Sequence, residues 1–177
     1  MKKFAVIALT FLLAGCSQST TALPNDGVVV DCSSIQTIET NVKAVPLDCL
    51  DESSVVNLAN IKGPTLVNVW GSWCGPCREE IPIFRSFYEK AKDKVSLVGI
   101  DVEESSIEDG RKFVEENGIT WPNLYDPDGR SREFFGLGVP VTWFIAADGS
   151  VAGKKIGAVK DENELIALTN KYLGVKL

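Results

Sequence analysis

The sequence predicts an α/β domain, a central mixed β-sheet flanked by helices on both faces. Three observations carry that prediction. Hydrophobic periodicity alternates in the order strand, helix, strand, helix, strand, strand, helix. The first strands are separated by helices, as a right-handed crossover requires, whereas the last two meet at the hairpin turn signal Asp148-Gly149. The 177 residues are 45% hydrophobic and 24% charged, enough apolar side chains for one core and too many for a disordered chain.

The elements follow in order. Val28-Val29-Val30 is read as the start of a short strand. Thr65 to Trp70 is a β-rich run bounded by Gly63-Pro64 and Gly71. From Cys74 to about Lys92, Ile81, Phe84, Tyr88 and Ala91 recur at helical spacing, with a kink expected at Pro82 because proline cannot donate to the carbonyl four residues back. Val95 to Val102 is apolar until Asp101, like a strand covered on both faces. Ile107 to Asn117 is a second helix stopped by Gly118. Asp126-Pro127-Asp128-Gly129 is a turn. Val141 to Ala146 and Val151 to Ile156 are the hairpin strands, and Glu162 to Leu173 is a closing helix ending at Gly174.

The chain divides into three parts. Residues 1–15 read as a secretory leader: Lys2 and Lys3 precede an apolar run, Phe4 to Ala14, too short for a bilayer span of roughly 20 residues. The run ends in Leu13-Ala14-Gly15-Cys16, which resembles a bacterial lipobox and implies cleavage before Cys16 and acylation of that residue. Residues 16–44 are a tether and N-terminal segment, polar and proline-containing from Ser17 to Asp26, and residues 45–177 are the domain. Removing the leader leaves 16 basic and 24 acidic side chains, a charge of −8 over 162 residues, so the anchor and not the domain surface is expected to hold the protein at a membrane. No basic cluster favours nucleic acid. The chain has no histidine, which excludes Cys–His and Ser–His nucleophile pairs, histidine metal sites and c-type haem attachment.

Trp73-Cys74-Gly75-Pro76-Cys77 lies where a strand ends and a helix begins. The first amides of a helix lack internal partners and, with the helix dipole, favour a thiolate at Cys74. A thiolate is the attacking species in disulfide exchange, and Cys77, one turn inward, is placed to resolve a mixed disulfide.

Here the chain resembles the thioredoxin superfamily, and more narrowly the membrane-anchored, extracytoplasmic thiol–disulfide proteins of the TlpA/DsbE type. The resemblance covers roughly Val45 to Leu173. It is carried by Leu66 to Pro82 (LVNVWGSWCGPCREEIP), by Leu58 to Gly63 and by Val139-Pro140-Val141-Thr142. It implies a thioredoxin-like fold with Cys74 and Cys77 as the redox pair. It also implies that Pro140 is a cis-proline beside the dithiol, offering backbone with Val139 for substrate pairing, and that Gly75, Pro76 and Trp73 line that site. Glu80 matches the glutamate of the family's Cys-x-x-Cys-x-x-Glu-x-Pro pattern, placed to handle the proton of the inner thiol. Asn68 stands where cytoplasmic thioredoxins carry a buried aspartate, and an amide cannot act as a base. Glu79 is read as surface, Trp70 and Phe84 as core, and Trp121 suits either site or core.

Cys32 and Cys49 remain, and in an oxidising compartment they are expected to close a structural disulfide, the alternatives being a second, regulatory redox pair or two free thiols. Zinc is not favoured, because the chain has a single short Cys-x-x-Cys spacing. No metal or cofactor is therefore expected. The resemblance implies exchange of the Cys74–Cys77 disulfide with cysteine-containing exported proteins, in cytochrome c maturation or in disulfide formation, together with a membrane thiol–disulfide partner. The letters leave the direction of electron flow open. The alternative is a surface-anchored binding module whose dithiol is only a staple. A peroxidase on this fold would need a Pro-x-x-x-Thr-x-x-Cys pattern that the sequence lacks.

Overall fold

The computed structural model describes residues 26–136 and 138–177. The leader, the Cys16 lipidation site and the tether up to residue 25 lie outside them. The element order is β1 (Pro46–Cys49), β2 (Val55–Asn57), β3 (Thr65–Trp70), α1 (Gly75–Ala91), β4 (Ser96–Val102), α2 (Ile107–Glu116), β5 (Asn123–Asp126), α3 (Arg132–Phe135), β6 (Val141–Ile145), β7 (Val151–Ile156) and α4 (Glu162–Leu173). The seven strands form one sheet in the order β2-β1-β5-β4-β3-β6-β7. β3, β4 and β5 run parallel, and the remaining pairings are antiparallel.

Strand alternation divides two cores. Leu66 and Trp70 of β3 face a core shared with α1, α2 and α4, while Val67 and Val69 face a second core closed by β1, β2 and the N-terminal segment, with Phe134 of α3 packed against it. The long helices thus lie on one face, and the short α3 covers the other. β3 is buried along its whole length, as a central strand must be.

The helices begin where the side chains can cap them. Ser106 accepts from the Asp109 amide to start α2, and Asp161 accepts from the Glu164 amide to start α4. Gly174 ends α4 in the left-handed region. Helix α1 runs through Pro82 as a single element, at the cost of the donor to the Arg78 carbonyl.

Val28-Val29-Val30 does not form a strand. Among the described residues its neighbourhood makes two backbone bonds, Gly27 N–H to Glu115 and Val28 N–H to Ile119, both at the carboxyl end of α2 rather than to a strand, so it joins no ladder. The N-terminal segment is nonetheless docked: Thr37 bridges Ile61, and a Cys32–Cys49 disulfide with a Cα–Cα distance of 5.9 Å fastens it to β1. The Cys32→Ser/Cys49→Ser double variant frees that 17-residue connection in the folded and unfolded chains. Stability should fall by about 3 kcal/mol and Tm by roughly 6–12 °C in calorimetry, against an unchanged Tm if the bridge bears no load.

Candidate active site

The site is built at the carboxyl end of β3. The strand stops at Gly71, and Cys74 caps α1 with its Sγ accepting from the Cys77 amide at 3.2 Å. Cys74 and Cys77 are joined, with a Cα–Cα distance of 5.3 Å. Cys74 is 5% exposed and Cys77 not at all, whereas Gly75 and Pro76 between them face solvent. The outer sulfur is therefore the one an incoming group reaches first.

Trp73 is 52% exposed. Its ring folds back over Gly71, where a β-carbon would meet the indole, and its Nε1–H donates to the Val102 carbonyl at 3.2 Å. The ring forms one wall of a cleft of about 60 Å³ that Val69, Val102, Glu103, Arg132 and Val139 help to line. The Val139–Pro140 peptide is cis, Val139 packs against both cores, and the Pro140 carbonyl accepts from Gly157 N–H. The structure thus gathers Trp73, Cys74, Cys77 and Val139 around one corner of the sheet.

Glu80 lies one turn beyond Cys77 on the same helix and is 1% exposed. Its Oε1 accepts from Asn68 Nδ2 at 2.8 Å, and its Oε2 accepts from Val159 N–H at 3.0 Å. Asn68 Nδ2 also reaches the Thr142 hydroxyl, while Asn68 Oδ1 has no partner among the described residues. Burial pushes the Glu80 carboxyl up to about 7, against the opposing pull of those two donors and of Lys155. A group with that value can give or take a proton near neutrality. Glu79 faces solvent, and Trp70, Phe84 and Trp121 are buried, with Trp121 edge-on to Tyr88.

Sequence reasoning passed over the far side of the site. Asp101, Glu103 and Glu104 end β4 and the turn after it, beside the carboxyl end of β3. Glu103 pairs with Arg132 at the mouth of the cleft, and Glu104 accepts from both the backbone N–H and the hydroxyl of Ser72. The available signal was three acids in four residues at the carboxyl end of an apolar parallel strand, where open α/β sheets place their ligands. Among the described residues no group of three or more Cys, Asp or Glu side chains is arranged to hold a metal ion.

A model of the AhpC/TSA family matches residues 38–154. The chain belongs to that family. This AhpC/TSA-family domain has the thioredoxin-like fold of its solved neighbours. A DsbF homologue from Corynebacterium diphtheriae superimposes with a TM-score of 0.62 at 26% identity, over 88% of this chain and 96% of that one. Among curated relatives, the thiol-disulfide oxidoreductase ResA of Bacillus thuringiensis is 32% identical over 109 residues, 60% of this chain and 62% of that protein. The thiol:disulfide interchange protein CycY of Rhizobium leguminosarum is 37% identical over 123 residues, 66% of this chain and 64% of that protein. The matched part thus spans less than two thirds of each of these two curated relatives.

Proposed function

We propose that this chain is an extracytoplasmic, lipid-anchored thiol–disulfide oxidoreductase acting on cysteine-containing exported proteins and recharged by a membrane thiol–disulfide partner. One observation carries the reading: a disulfide whose outer sulfur caps a helix N-terminus and whose inner sulfur sits one turn from a buried carboxyl titrating near 7. The names of its relatives, thiol-disulfide oxidoreductase and thiol:disulfide interchange protein, support it. The anchor rests on Leu13 to Cys16. Among the described residues no helix is long and apolar enough to cross a membrane.

The chemistry balances over two electrons. Reduced Cys74 attacks a substrate disulfide as thiolate and expels one substrate thiolate, leaving a mixed disulfide. Cys77 gives its proton to Glu80, attacks Cys74 Sγ and expels the second substrate thiolate. The protein ends oxidised, and the substrate ends reduced by two electrons. The reverse sequence oxidises a substrate dithiol, with protonated Glu80 returning its proton to Cys77. Direction follows from the reduction potential: a value near about −270 mV marks a reductant, and one near about −120 mV an oxidase.

The test is alkylation of the native protein after mild dithiothreitol. Iodoacetamide should label Cys74 with a titration midpoint below the ordinary thiol value of about 8.5, and Cys77 only after unfolding. A disulfide that resists reduction, or a Cys74 with no acidic thiol, would leave only a stapled scaffold.

A further inference from the structure

Asp101 is fully buried at the end of β4. In register it lies between Trp70 of β3 and Tyr125 of β5. Neither of its oxygens is met by an N–H or O–H donor among the described residues. Gly110 of α2 approaches so closely that a β-carbon there would overlap the carboxyl group, so the glycine makes the room that Asp101 occupies. Three residues on, Glu104 holds Ser72 by its backbone N–H and by its hydroxyl, the latter at 2.8 Å. The Ser72 carbonyl in turn accepts from Arg78 Nε at 2.6 Å. The segment that delivers Cys74 to its helix is thus tied to the end of β4 on one side and to α1 on the other.

An ionised carboxylate without donors in a dry core is uncompensated, so Asp101 keeps its proton. Burial first, then the charge of Glu104 and a side-chain hydrogen bond with it, and last the charge of Asp109, push it up to about 9. Glu104, by contrast, has a donor on each of its oxygens, the Ser72 backbone N–H and hydroxyl. Tyr125 of β5 and Asp109 of α2 face the same region, and the Tyr125 hydroxyl is pushed up by burial and by those acids. Were Asp101 to ionise, its charge would repel Glu104 and weaken the hold on Ser72.

We propose that Asp101 and Glu104 are a positioning pair for disulfide exchange, a neutral carboxyl backing a carboxylate that fixes Ser72 and through it the reactive geometry of Cys74. The proposal rests on the reading of Cys74–Cys77 as the exchanging pair, and it assigns a role to two acids outside that pair and outside Glu80. Glu104 has two opposed effects. It holds the attacking sulfur in place through Ser72, and its negative charge at Ser72, two residues before Cys74, disfavours the Cys74 thiolate.

Glu104→Gln separates the two. Alkylation of Cys74 by iodoacetamide at pH 6 should rise about threefold, because a repelling charge is gone. Exchange with a disulfide substrate at the same thiolate fraction should fall about tenfold, because Cys74 is no longer held. A merely destabilised protein would show slower alkylation at pH 6, since an ordinary thiol is largely protonated there. Ser72→Ala, which keeps the backbone N–H, should reduce exchange in the same direction by less and serves if the Gln variant fails to fold. For Asp101, denaturant unfolding is measured between pH 7 and 9. Above pH 8 Glu80 is largely ionised, so there the proton on Asp101 should make the folding constant fall by up to about tenfold per pH unit. Asp101→Asn should flatten that fall. An unchanged slope in Asp101→Asn, or unchanged alkylation and exchange in Glu104→Gln, overturns the proposal. Loss of all exchange in the parent protein would instead sink the oxidoreductase reading, while the alkylation and unfolding measurements would still report on the pair.

Discussion

Cys77→Ala is expected to abolish turnover while the protein still captures its substrates. The variant keeps Cys74 at the mouth of the site, beside the exposed Gly75 and Pro76, so the first attack on a substrate disulfide proceeds. The second attack has lost its nucleophile. Insulin reduction should therefore drop by more than about a thousandfold, as expected when the sole group able to complete a covalent cycle is removed. Mixed disulfides on Cys74 should accumulate and be visible on non-reducing gels, where mass spectrometry identifies the captured proteins. Cys74→Ala should capture nothing, because Cys77 is wholly buried and cannot meet an external disulfide. Substrate adducts on Cys77 in that second variant would reverse the assignment of outer and inner sulfur. Both substitutions remove one small side chain from the edge of a core, so the fold should survive, and near-ultraviolet circular dichroism checks it.

What the letters reveal and what they hide follows from length and burial. β3, β4 and β6 are long or uniformly apolar, and α1 and α4 show an apolar face bounded by caps, so their patterns stand out. β1, β2 and β5 span only three or four residues with polar members such as Asp48, Asn57 and Asp126, too few to establish a period of two. β1 and β2 pair locally, but their place at one side of the sheet is fixed by the pairing of β1 with the distant β5, which no local pattern encodes. The four-residue α3 is hidden for the same reason. Val28 to Val30 misleads in the opposite direction: β-branched residues look like a strand, yet the segment has no ladder to join. At the site, the Cys74–Cys77 corner is local and readable. The grip of Glu104 on Ser72 spans 32 positions and is invisible until the parallel β3–β4 pairing brings them together. Asp101 shows itself only as an interruption in an apolar run, because the meaning of a buried acid depends on the absence of donors around it.

Glu80→Gln should slow the resolving step by about a hundredfold at pH 8 and erase its inflection near 7. The sign follows from the raised value. In the folded protein the carboxyl stays protonated up to about 7, so only above that pH can it accept the Cys77 proton. Substrate reduction by the dithiol should therefore accelerate as pH rises through 7. Opening of the Cys74–Cys77 disulfide by an external dithiol needs the acid form, so its dependence on this group should run the other way. The glutamine variant loses both trends, leaving only the titration of the thiols themselves. The substitution is also accommodated locally. A glutamine oxygen can keep the Val159 N–H, and its amide then faces Asn68, whose Oδ1 is an unpartnered acceptor that a flip of the amide would turn toward it. Thr142 can reverse its hydroxyl to suit. Stability carries a second check of the same proton. A carboxyl raised above its unfolded value favours the folded state when protonated, so as pH climbs from about 4.5 to 7 the parent should lose about 1.4 kcal/mol per unit more than the variant, which keeps only the fall that Asp101 contributes. Stopped-flow exchange that keeps its inflection in Glu80→Gln would move the proton-handling role to another group.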